Sequence, residues 1–230
     1  MRHALLTIAM LSMGVAAVAQ EHVHDQAPPP QTTTMAAPAP APTPPARQPW
    51  AQQALEASPR HREWVNVKSG DRTISAFVVY PEVKKKATSV VVIHEIFGMS
   101  DWVQMLADEL AEAGYIAIAP DLLSGMGPNG GGTSAFTDGQ AIGKAIRDLP
   151  PDQIASDLNA VADYVSRLPA ANGKVAAAGF CWGGGQTFRF ATNRAKLAAA
   201  FVLGGCALCN QLSRVRRVSV QLKNRSLSMS

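Results

Sequence analysis

The 230-residue sequence predicts an α/β domain built on a mostly parallel sheet with helices on both faces. Continuous apolar runs recur in ATSVVVIHE, YIAIAP, GKVAAAGF and KLAAAFVLGG, the pattern of strands buried on both sides. Segments with helical spacing lie between them. Strand and helix alternating in this way imply right-handed crossovers, which place the helices over both faces.

The elements can be justified in order. Residues 1–19 combine a basic start at Arg2, an apolar stretch from Ala4 to Ala17, and small residues Ala17 and Ala19 before Gln20. This reads as a cleaved secretory signal, since the apolar stretch is shorter than the roughly 20 residues a spanning helix needs. An exported, periplasmic or secreted protein is expected. Residues 20–58 are rich in Pro, which lacks a backbone donor, and in Ala, which gives little core-forming bulk, so a disordered linker is expected. His22 and His24 in that stretch read as solvated rather than as metal ligands. The folded part is expected over residues 59–205. It starts with a hairpin, HREWVNVKSG and DRTISAFVVYP turning at Gly70 and Asp71.

The strand ATSVVVIHE should lead into a helix capped at Asp101, with Gln104 three residues on and an apolar stripe of Trp102, Leu106, Leu110 and Ala113. After the strand YIAIAP, residues 121–138 form a glycine-rich loop. Gly125, Gly127 and Gly130 spell G-x-G-x-x-G, but Pro128 interrupts the motif and no helix opens at its end, so a surface loop near a pocket is expected and not a dinucleotide turn. PDQIASDLNAVADYVSRLP is a helix whose stripe of Ile154, Leu158, Val161, Val165 and Leu168 reads as core.

Composition excludes several functions. Three cysteines do not make a disulfide framework, and their odd number leaves a free thiol. The net charge of +4 owes its sign to Arg214, Arg216, Arg217, Lys223 and Arg225, all near the C-terminus, so it marks no nucleic-acid groove on the domain. No nucleic acid and, after signal cleavage, no membrane partner is expected. The chain is expected to be a monomer.

Gly179, Cys181 and Gly183 spell G-x-C-x-G between a predicted strand and a predicted helix. This is the thiol form of a nucleophile elbow. The nucleophile occupies a strained backbone conformation, and the residues two before and two after must be small so that strand and helix can approach. The helix that follows points free amides at the sulfur, where they favour negative charge. Glu95, at the carboxyl end of a buried strand, is a second candidate. His94 beside it faces the other side of the extended chain and reads as a packing residue.

VVIHEIFGMSDWVQMLADELAEAGYIAIAPDLLSG followed by GKVAAAGFCWGGG resembles the dienelactone hydrolase (carboxymethylenebutenolidase) family of the α/β-hydrolase superfamily, over about residues 63–205. The resemblance implies an ester- or lactone-cleaving enzyme with a small-molecule substrate and neither cofactor nor metal. It places the nucleophile on Cys181, the strand-end glutamate on Glu95, and the oxyanion-hole amides on the backbone N–H groups of Ile96 and Trp182. That family's acid and histidine should follow the nucleophile, yet the sequence has no Asp, Glu or His after Cys181. Residues 206–230 contain no Gly or Pro and five Ser, and read as an aberrant basic tail. The expectation is therefore a C-terminally incomplete domain, cut short near Gly205 by a shift of reading frame. It leaves the strand carrying Phe201 with an unpaired edge. An inactive fragment or ligand-binding remnant is the alternative. Cys206 and Cys209 form a C-x-x-C without the further ligands or surrounding pattern of a zinc or redox site.

Overall fold

The structure is a computed structural model, and it describes residues 47–204. The expected signal at 1–19, most of the linker, His22 and His24, and the tail with Cys206 and Cys209 lie outside the described residues.

Six strands, β1 (Arg62–Ser69), β2 (Arg72–Val79), β3 (Ala87–Ile93), β4 (Ile116–Pro120), β5 (Ala171–Phe180) and β6 (Ala199–Leu203), form one sheet in the order β1-β2-β4-β3-β5-β6. The hairpin of β1 and β2 is antiparallel, and β2 runs antiparallel to β4. From there the sheet is parallel, through β3, β5 and β6. The expected mostly parallel α/β sheet is present.

Alternation along each strand sends its residues to two separate cores. One face carries Val90, Val92, Ala117, Ala119, Ala176 and Ala178, covered by α2 (Asp101–Glu112). The other carries Val91, Ile93, Ile116, Ile118, Val175 and Ala177, beneath α3 (Gly139–Arg147), α4 (Pro151–Ser166) and α5 (Trp182–Asn193). Burial of both faces explains why these strands read as unbroken apolar runs.

Helix α4 buries the expected stripe through Val165, with Leu168 half-buried at its end. Helix α2 differs from expectation in two respects. Its cap is Ser100, not Asp101: the Ser100 hydroxyl accepts the Val103 N–H at 3.4 Å. Its buried stripe is Val103, Ala107 and Ala111, small residues that let the helix settle onto the sheet, while Trp102, Leu106 and Leu110 flank the contact. Replacing Ser100 with alanine should cost about 1 kcal/mol in urea unfolding, the usual loss when a capping oxygen is removed.

The linker expectation is corrected at its end. Pro49–Ala57 is a helix, α1, with Ala51 and Leu55 buried. Pro49 suits a first helical turn because the missing N–H has no partner there in any case. Gln48 ties α1 to α2 reciprocally: its backbone N–H donates to Asp101 Oδ2 at 2.8 Å, and its side-chain Oε1 accepts the Trp102 N–H at 2.7 Å. Arg60 adds a pair with Asp108. Helix α3 was not expected. Asp138 caps it by accepting the N–H groups of Gln140 and Ala141, and Ile142 and Ile146 enter the core. Strand β6 was expected to be buried, but Phe201, Val202 and Leu203 are exposed. Among the described residues β6 pairs with β5 alone, so its outer edge is unpaired.

Candidate active site

Parallel strands present their carboxyl ends together, and β3 and β5 are in register with Ile93 opposite Gly179. Glu95 and Cys181 each lie two residues beyond that pair. Both therefore emerge at the same end of adjacent strands, which sit about 4.8 Å apart.

Cys181 has φ +51° and ψ −115°, between β5 and the first residue of α5. Only one other non-glycine among the described residues, Asn129, has positive φ. The elbow is held by its surroundings. The Cys181 N–H donates to the Leu203 carbonyl at 2.9 Å, and its own carbonyl accepts from Gly184 and Gly185. A methyl on Gly179 would collide with the Gly183 carbonyl and the Thr187 hydroxyl, and one on Gly183 with the carbonyls of Ile93 and His94. These two glycines are thus required by the crossing of strand and helix, as their spacing predicts. The thiol is free and exposed.

The Trp182 N–H is the first of α5 and has no acceptor within the helix by geometry. Ile96 lies in the turn after β3, which is closed by the Gly98 N–H donating to the Glu95 carbonyl at 3.1 Å. The structure therefore brings Cys181, Glu95, Ile96 and Trp182 to one end of two neighbouring strands.

His94 is buried, as expected of a packing residue. Its Nε2 accepts the Leu122 N–H at 3.3 Å, so Nδ1 carries the proton and donates to the Glu95 carbonyl at 2.9 Å. Burial lowers its pKa, and the charge of Asp121 only partly opposes this. A neutral ring with both nitrogens engaged is not placed to take a proton from the thiol. It stacks on Trp182, with ring centres 5.7 Å apart, a contact not anticipated from the sequence.

Glu95 is half-buried, and desolvation raises its pKa above the usual carboxylate value. The folded chain therefore holds this proton to higher pH than the unfolded chain does, and the stability contribution falls as pH rises through that window. Glu95→Gln should accordingly have a higher Tm than wild type at pH 7. The difference should vanish below about pH 3, where both states are protonated. An equal Tm difference at both pH values would contradict this account of Glu95.

The glycine-rich loop lies beside clefts, as expected. One of about 340 Å³ is lined by Trp64, Asp121 and Gly132, another of about 440 Å³ by Met99, Asp101 and Phe136. Neither includes Cys181.

The dienelactone hydrolase family model matches residues 74–222, which reaches past the tail boundary expected at residue 206. A protein named "Putative carboxymethylenebutenolidase" from Salmonella typhi is 32% identical over 138 residues, covering 59% of this chain and 49% of the relative. Carboxymethylenebutenolidase 1 of Cupriavidus pinatubonensis is 30% identical over 125 residues, covering 54% and 53%. The chain spans about half the length of the curated relatives it matches. The solved structure named "Putative Dienelactone Hydrolase" from Klebsiella pneumoniae superposes with a TM-score of 0.54 at 27% identity, covering 61% of this chain and 58% of that one. Strand order, elbow and family match agree: the chain belongs to the dienelactone hydrolase family of the α/β-hydrolase superfamily.

Proposed function

We propose that this chain cleaves a small-molecule ester or lactone through Cys181. The observation that carries the reading is the positive φ of Cys181 at the junction of β5 and α5. A cysteine is held there at a cost of roughly 1–3 kcal/mol, which packing alone would not select. In the first step the thiolate adds to the carbonyl carbon, and the oxygen takes the negative charge between the N–H groups of Ile96 and Trp182. The C–O bond then breaks, the leaving alkoxide takes from Glu95 the proton that the thiol gave up, and an acyl thioester remains. Glu95, whose proton affinity is raised, receives the thiol proton before attack. Each fixed donor to such an oxyanion is worth roughly 3–4 kcal/mol in acyl transfer.

Hydrolysis of the thioester needs a water and a base. Glu95, at the same strand end as Cys181 and with its proton passed on, is placed to serve as that base. The basic start and apolar run of residues 1–19 support export, with the enzyme working as a monomer outside the cytoplasm.

The test is hydrolysis of 4-nitrophenyl acetate and of a simple butenolide by the full chain, with Cys181→Ala as control. Release of nitrophenol that disappears in the variant supports the reading, and equal rates in both proteins contradict it.

A further inference from the structure

The glycine-rich loop of residues 121–138 has no part in the elbow. Its glycines serve another purpose. A methyl on Gly132 would strike the Asp121 carboxylate, and one on Gly127 would lie 2.6 Å from the Gly132 carbonyl. The loop is compacted so that Thr133 reaches Asp121, at the end of β4.

Thr133 is buried, and its contacts run in both directions. Its N–H donates to Asp121 Oδ2 at 2.7 Å and its hydroxyl donates to Asp121 Oδ1 at 2.8 Å. The same hydroxyl oxygen accepts the Met99 N–H at 3.1 Å. Asp121 is also buried and turns back on its own chain, accepting the Leu123 N–H at 3.1 Å. Met99 directly follows the turn that Gly98 closes onto Glu95. Gly98, with φ +72°, lies so close to Thr133 that a methyl there would overlap its side chain. The oxyanion turn is thus pinned from outside by one hydroxyl, whose orientation is set by one carboxylate.

We propose that Thr133 and Asp121 are positioning residues that fix the turn carrying Ile96 and Glu95, with the Thr133 hydroxyl as the anchor. This rests on the ester-cleavage reading for its catalytic consequence, though not for its structural one. Buried polar networks of this kind hold a geometry because each unmade bond leaves a desolvated group unpaired.

The experiment compares full-length wild type with Thr133→Val, which keeps the shape and loses the hydroxyl, and with Thr133→Ser, which restores it. Amide hydrogen exchange over residues 94–100 is read first. Thr133→Val should speed exchange at Met99 about tenfold, and Thr133→Ser should return it to within about twofold of wild type. With 4-nitrophenyl acetate, kcat should fall about tenfold in Thr133→Val with KM within about twofold, and recover in Thr133→Ser. Unaltered exchange in Thr133→Val overturns the proposal, as does a loss of kcat that Thr133→Ser does not recover. Absence of any Cys181-dependent turnover in wild type counts against the ester-cleavage reading alone, and the exchange data then decide the positioning claim.

Discussion

Gly183→Ala is expected to destabilise the domain by about 3 kcal/mol, the upper end of the range for overpacking a tight interior. The new methyl would lie against the carbonyls of Ile93 and His94, which are backbone atoms of the central strand β3 and its extension. Unlike the end of a long side chain, they cannot swing aside. Relief requires α5 to move away from the sheet, which loosens the Leu203 contact to Cys181 and the stack of Trp182 on His94. Gly143→Ala is the control. Its methyl would find neighbours no nearer than 3.4 Å, and it should be neutral or stabilising by up to about 1 kcal/mol from helix propensity. Urea unfolding of both variants checks the contrast, and a cost below about 1 kcal/mol for Gly183→Ala would contradict the tight crossing.

Cys181→Gly should have the opposite effect on stability and the largest effect on activity. A positive φ with ψ −115° is unfavourable for a residue with a Cβ and open to glycine. Relief of that strain should stabilise the domain by about 1 kcal/mol, net of the freedom that glycine gives the unfolded chain. Turnover of 4-nitrophenyl acetate should drop to the uncatalysed rate, because no other group replaces the sulfur. A more stable and inactive variant is the mark of a strained functional residue. If Cys181→Gly instead lowers the Tm, the thiol contributes to packing and the elbow is not strained on its account.

The sheet and the elbow were legible because each leaves a local signature. Strand β4, and β3 and β5 over residues 90–93 and 175–179, are buried on both faces and apolar throughout, and the elbow needs Gly179 and Gly183 at fixed spacing. What was not legible depended on distant partners. Helix α1 is short and follows a proline-rich stretch, and it is held by Ala51, Leu55 and the bonds of Gln48 to Asp101 and Trp102, some 50 residues away. Helix α3 begins within glycine-rich sequence, and only the cap at Asp138 and the pair Ile142 and Ile146 hinted at it. The α2 stripe is not marked by its large residues, because close approach to a sheet selects Val103, Ala107 and Ala111. The Thr133 anchor to Met99 joins segments 34 residues apart and leaves no periodic trace.

The most direct test of the central claim is covalent. The full chain is mixed with 4-nitrophenyl acetate, quenched in acid, and mapped by peptide mass spectrometry. Attack by a strained thiol, quenched before the thioester is hydrolysed, predicts one acetyl group, located on the peptide containing Cys181 and missing from Cys181→Gly. Acetylation distributed over lysines, or retained undiminished in Cys181→Gly, would contradict it.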